Sequence, residues 1–421
     1  MHSPSNRCAR LSPLLAHSTA CWAALLCAML AAQSPSAAQV AIRGETVHTM
    51  AGPAISNGIV VIEDGKITQV GPAASITVPA GLRTLSAKVV TPGLVDAHTV
   101  AGLAGYLNQP HDQDQIERSS AMQPELRAID GYNPRETLVE WVREFGVTTI
   151  HTGHGPGTLI SGQTMIAKTR GKTVDEAVVV PAAMVAATLG ENARAERGKS
   201  PGTRSKMIAM LREEFVKAQR YAEKLASADE SKKPERNLRS EAFVRILNKE
   251  LPLLVTVHRA NDIMSAIRLA KEFDIRLVLD GAAEAYLILD RIRASGYPVI
   301  VHPTMYRANG DTENLSFETA SKLRQAGIPF ALQSGFEGYV PKTRVLLYEA
   351  GLSAANGQSF DDALRSVTID AARIIGLADR IGSLEPGKDG DVALYDGDPF
   401  EYTTHCVGVV IEGQVVSEAT R

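Results

Sequence analysis

The stretch Pro92–Gly105, "PGLVDAHTVAGLAG", decides the fold. A Pro-Gly turn leads into an apolar strand, and His98 sits at its end. Residues i and i+2 of a strand share a face, so Val100 fills the slot in which a second histidine would aim at the same point as His98. Val100 packs well there but has no donor atom.

Upstream, "AIRGETVHTM", "GIVVIEDGKITQVG" and "RTLSAKVVTPG" alternate apolar and polar residues, with turns at Asp64-Gly65 and Gly71-Pro72. The same texture returns near the C-terminus in "DVALYDGDP" and "VGVVIEGQVV". Residues 39–91 and 384–421 are therefore expected to assemble one small β-sandwich. Downstream of His98 the pattern changes to alternating strands and helices. "NPRETLVEWVREFG" predicts a helix with Asn133 as N-cap, Pro134 in its first position and Gly146 as its stop. "VTTIH", "LPLLVTVH", "IRLVLD", "YPVIVH" and "IPFALQS" read as strands, with helical segments such as "NDIMSAIRLAKEF" between them. This is an α/β pattern, and so many βα units predict a (β/α)8 TIM-type barrel over residues 92–383. A long amphipathic helix, "TRSKMIAMLREEFVKAQRYAEKLA", and the charge run after it form an insertion around residues 190–245.

With 44% hydrophobic and 22% charged residues over 421 positions, the chain can bury a real core. A net charge of −3 gives no basis for nucleic-acid binding. The first residues differ in kind: Arg7 and Arg10, the apolar run "ACWAALLCAMLAA" and the small residues of "QSPSAAQ" describe a signal peptide, residues 1–38, cleaved after Ala38. No stable membrane span is expected once it is removed. Cys8, Cys21 and Cys27 leave with it, so the mature chain keeps only Cys406 and can form no internal disulfide. A periplasmic or secreted bacterial protein fits both features.

Active sites of such barrels lie at the C-terminal strand ends. Five histidines fall there: His98, His151, His154, His258 and His302. Several imidazoles converging on one mouth would suit a metal ion. "HTGHGPG" sets His151 and His154 beside a Gly-rich turn. Glu125, Asp130 and Glu284 are further titratable groups near the mouth, and no Gly-x-Ser-x-Gly elbow is present.

The segments "GIVVIEDGKITQVG", "VVTPGLVDAH", "LGENARAERGKSPGTRSKMIAMLREEF", "VHRANDIMSAIRLAKEF" and "AARIIGLADRIGSLEPGKDGDVALYDGDPF" resemble, in this order, the imidazolonepropionase-like and prolidase-like branch of the amidohydrolase superfamily. The resemblance implies metal-assisted hydrolysis of a C–N bond in a small molecule. One or two divalent ions activate a water, and a carboxylate on the eighth strand takes its proton. Carried over by position, His98 and His258 match metal ligands, and Lys168 is placed at the counterpart of a bridging lysine. Val100, Thr256, Gly281 and Gly335 (or Ser334, one residue earlier) stand where the resemblance implies further ligands and the carboxylate. One zinc ion on His98 and His258, joined by His151 or His154, is one expectation. A catalytically inactive homologue is the other, acting as a binding protein or as the partner of an active paralogue. A homo-oligomer fits either.

Overall fold

The computed structural model describes residues 39–196, 198–305, 309–339 and 342–421. The expected signal peptide, with Cys8, Cys21 and Cys27, lies outside the described residues.

Strands are numbered in chain order. Both ends of the chain enter one seven-stranded sheet. Its members, from edge to edge, are β17 (Gln414–Ser417), β16 (Cys406–Ile411), β15 (Val392–Tyr395), β4 (Arg83–Pro92), β1 (Val40–Val47), β2 (Ile55–Glu63) and β3 (Lys66–Pro72). A small β-sandwich from both ends of the chain was the expectation, and the strands concerned form one continuous ladder. The splice is β4, which pairs parallel with β1 on one edge and antiparallel with β15 on the other. Period-2 alternation buries both faces of β15 and nearly all of β16, while the edge strand β17 stays partly exposed. Val392 and Leu394 join an apolar cluster with Val60 and Val90. Ala393 and Tyr395 point the other way, into the main core.

The central unit begins directly after β4. β5 (Leu94–Thr99) pairs parallel with β6 (Val147–Thr152), and β6 continues antiparallel to β8 (Met165–Lys168) and then β9 (Val178–Val180). A second sheet runs from β7 (Ile160–Gln163) through β10 (Val185–Thr188), β11 (Leu253–Val257), β12 (Leu277–Gly281) and β13 (Val299–Val301) to β14 (Phe330–Leu332). From β10 to β14 every pairing is parallel. An isolated bridge between Thr99 and Gly335 brings the end of β5 beside the end of β14. The parallel strands do not run on into a single closed ladder, because β7 and β8 enter antiparallel.

β11 ("LLVTV") and β12 ("LVLDG") are buried along their whole length, as strands covered on both faces must be. Between them the helix Ala260–Glu272 turns Ile263, Ala266, Ile267 and Ala270 inward, a helical 3–4 spacing. The insertion helix Arg204–Leu225 buries Met207, Leu211, Phe215, Ala218 and Tyr221 by the same rule and is capped by Thr203, whose side chain accepts from the Lys206 N–H. One helix starts later than expected. The residues around Asn133 form a turn, with Asn133 accepting from the Arg135 N–H, and the helix itself is Thr137–Glu144. Its N-cap is Glu136, which accepts from the Leu138 N–H, while Gly146 stops it at φ +95° as expected. No helix among the described residues is long and apolar enough to cross a membrane.

Candidate active site

The C-terminal ends of β5, β11, β12, β13 and β14 surround a cavity of about 490 Å³. His98, Thr256, His258, Asp280, His302 and Gln333 line it, each at or just beyond a strand end. Register explains part of the grouping: Thr256 of β11 and Asp280 of β12 are direct partners and share a face.

Asp280 is the hub. Its Oδ1 accepts from Gln333 Nε2 at 2.6 Å and lies 3.2 Å from His98 Nδ1, while its Oδ2 accepts from Thr256 Oγ1 at 2.5 Å. Burial opposes its charge, yet His98, Thr256 and Gln333 together hold Asp280 below the ordinary carboxylate range. Burial likewise opposes a charge on His98, but attraction and hydrogen bonding from Asp280 hold that histidine above its ordinary value. The other nitrogen of the ring, Nε2, is buried without a hydrogen-bond partner. Beneath His98, Asp96 accepts from the backbone and hydroxyl of Ser334, and burial pushes it up to about 6.

Two further imidazoles complete the lining. His258 Nδ1 and His302 Nδ1 are both buried without a hydrogen-bond partner. Burial lowers His258 to about 4. His302 Nε2 lies 3.5 Å from Glu337, which also pairs with Arg344. Each ring rests on a glycine. A Cβ at residue 281 would meet His258 Cε1 at 2.6 Å, and one at residue 335 would meet the His302 ring at 2.5 Å. Both glycines have positive φ, +79° and +71°, which disfavours any side chain.

The remaining sequence candidates sit elsewhere. His151 lies beside His98, ring centroids 5.5 Å apart, but outside the cavity lining. Its Nδ1 is 2.7 Å from the Ala97 carbonyl and its Nε2 2.6 Å from the Thr164 hydroxyl, so no lone pair is left for a metal. Burial lowers it to about 3, and the ring is neutral. His154 packs over Gly162, away from the cavity. Lys168 donates to Asp389 and Asp391, next to the seven-stranded sheet, and does not reach the cavity. A strand-end position marks residue type but not the direction in which the side chain turns, which is why the two histidines differ from expectation, while Lys168 is held away by Asp389 and Asp391. Glu284 accepts from the Ala260 N–H and Asn314, a structural role at the start of a helix. Gln333 and Glu337 were not foreseen. The readable signal was parity, since Gln333 and Gly335 alternate just beyond β14 as Thr256 and His258 do around the end of β11.

The donor set does not fit the metal centre that the resemblance implies. Val100 and the two glycines bring no donor, the glycine spaces are filled by imidazoles, and Asp280 holds His98 Nδ1 and the Thr256 hydroxyl. Among the described residues, no three His, Cys, Asp or Glu side chains are grouped to hold one ion.

Imidazoles and carboxylates gathered at the ends of parallel strands are the layout in which α/β enzymes place their active sites. Residues 330–417 match the profile of the Amidohydrolase family. An amidohydrolase from Thermotoga maritima MSB8 has a similar structure, with a TM-score of 0.85 and 30% identity, the match covering 90% of this chain and all of that one. The imidazolonepropionase of Fusobacterium nucleatum subsp. nucleatum is 24% identical over 405 residues, 84% of this chain and 88% of its own length. Molinate hydrolase shares the fold at a TM-score of 0.56 and 17% identity, over 90% of this chain and 94% of that one. The chain belongs to the amidohydrolase superfamily.

Proposed function

We propose that the protein is an exported hydrolase of carbon–nitrogen bonds, acting on a small molecule held in the cavity bounded by His98, Asp280, His258 and His302. In this reading residues 92–383 are a (β/α)8-type barrel, residues 39–91 and 384–421 form an attached β domain, and residues 1–38 are removed on export to the periplasm. The observation that carries the proposal is that three imidazoles, those of His98, His258 and His302, line one cavity at the strand ends, each with a buried nitrogen that has no hydrogen-bond partner. Buried polar atoms without partners cost stability unless a ligand or water satisfies them. The family's relatives act on small molecules, which supports a substrate of that size.

Purified mature protein offered a panel of N-acyl amino acids, dipeptides and cyclic amides is expected to release amine, and His98→Ala to abolish the release. No release from any compound would overturn the proposal. A second reading has one observation in its favour: Val100, Gly281 and Gly335 bring no donor to positions where the resemblance implies ligands. It makes the protein a non-catalytic ligand binder or the partner of an active paralogue. Binding of a panel compound without turnover would favour it.

A further inference from the structure

We infer that this site breaks its C–N bond without a metal ion, with His98 as the proton carrier and Asp280 as the residue that positions it. The inference rests on the hydrolase reading above and supplies its chemistry. Its first support is occupancy. The volumes above Gly281 and Gly335 are filled by the rings of His258 and His302, so ligating side chains have no room there. The second is commitment. Asp280 takes hydrogen bonds from Gln333 and Thr256 in addition to facing His98 Nδ1, and a carboxylate so supplied is an acceptor only. His98 Nδ1 must therefore carry the proton of that contact. The lone pair of the neutral ring is then on Nε2, the buried nitrogen without a partner. The third is placement, since His98, His258 and His302 line the same cavity, and the latter two each keep an Nδ1 without a partner.

The step balances with water as the only co-reactant. His98 Nε2 takes a proton from water while the water oxygen bonds to the substrate's carbonyl carbon and the π pair moves onto the carbonyl oxygen. The imidazolium so formed is held by Asp280. It returns the proton from Nε2 to the leaving nitrogen as the carbonyl re-forms and the C–N bond breaks. The products are a carboxylic acid and an amine. His258 and His302 are placed to hydrogen-bond the substrate's polar atoms.

The experiment uses the mature full-length chain, dialysed against EDTA, with metals quantified before and after. It is titrated calorimetrically with ZnCl2 and assayed on the same compound panel. The inference expects no zinc site with Kd below about 1 µM and turnover changed less than about twofold by chelation. His98→Gln is expected to cut kcat by about 10²- to 10⁴-fold. Asp280→Asn is expected to move the acid limb of the pH–rate profile to lower pH, a shift that a purely structural role would not produce. Stoichiometric tight zinc, or turnover abolished by EDTA and restored by ZnCl2, would overturn the inference and leave the hydrolase standing. An absence of turnover in every arm would overturn the hydrolase reading, and this inference with it.

Discussion

Gly281 and Gly335 each do two things at once. They turn the backbone through the left-handed region and clear a space that an imidazole then occupies. Gly335→Ala is expected to cost about 1–3 kcal/mol of stability, from the strained φ together with displacement of the His302 ring. Urea unfolding measures the loss, and an unchanged midpoint would contradict the packing described. The buried histidines also set an acid limit. Burial holds His151 at about 3 and His258 at about 4, whereas both protonate near pH 6.5 in an unfolded chain. The unfolded state therefore binds more protons below that pH, and stability falls as pH drops from about 6.5 towards 4. His98, whose folded value is raised, has its full contribution in place below 6.5 and does not add to the slope. Asp96, at about 6, binds a proton in the folded state first and offsets one histidine. His48 and His154, also lowered by burial, add to the fall, so a net loss of at least about 1 kcal/mol per pH unit is expected in urea midpoints taken across this window.

At the scale of elements, the insertion helix Arg204–Leu225 is fastened by one aromatic cluster. Phe215 stacks on Phe273 with centroids 4.8 Å apart and meets Phe243 edge-on at 5.1 Å. Phe215→Ala is expected to cost about 3–5 kcal/mol, read as a lowered melting temperature. The burial of this helix was legible in its 3–4 apolar spacing, and the strand ends in their apolar runs, because periodicity reports which face is covered. His98 was legible for the same reason. The Asp280–Gln333 contact was not, since it spans β12 and β14 and exists only once the sheet curves. The resemblance implies a bridging ligand at Lys168, whereas its partners Asp389 and Asp391 come from a segment more than two hundred positions away. No local pattern announces an ion pair of that separation.

Across the whole molecule, that same ion cluster couples the central unit to the seven-stranded sheet. Asp389 is shared by Lys66, Lys168 and Arg380, and Asp391 also accepts from the Glu412 N–H. Lys168→Met would leave Asp391 buried beside Asp389 with its cation gone, and a loss of about 3–5 kcal/mol is expected in thermal or urea unfolding. A loss well under 1 kcal/mol would mean that the cluster holds nothing together.

The place of β4 has a consequence for the order in which the fold can be completed. One edge of this strand is taken by β1, a near neighbour along the chain, but the other waits for β15, whose Val392 pairs with Pro92. Until synthesis reaches those last strands, the newly made chain carries an open ladder edge at the root of the segment that leads into His98. An open edge of this kind invites pairing with other chains. Closing so long a loop is also slow, so β15 joins β4 after the segments between them have been made.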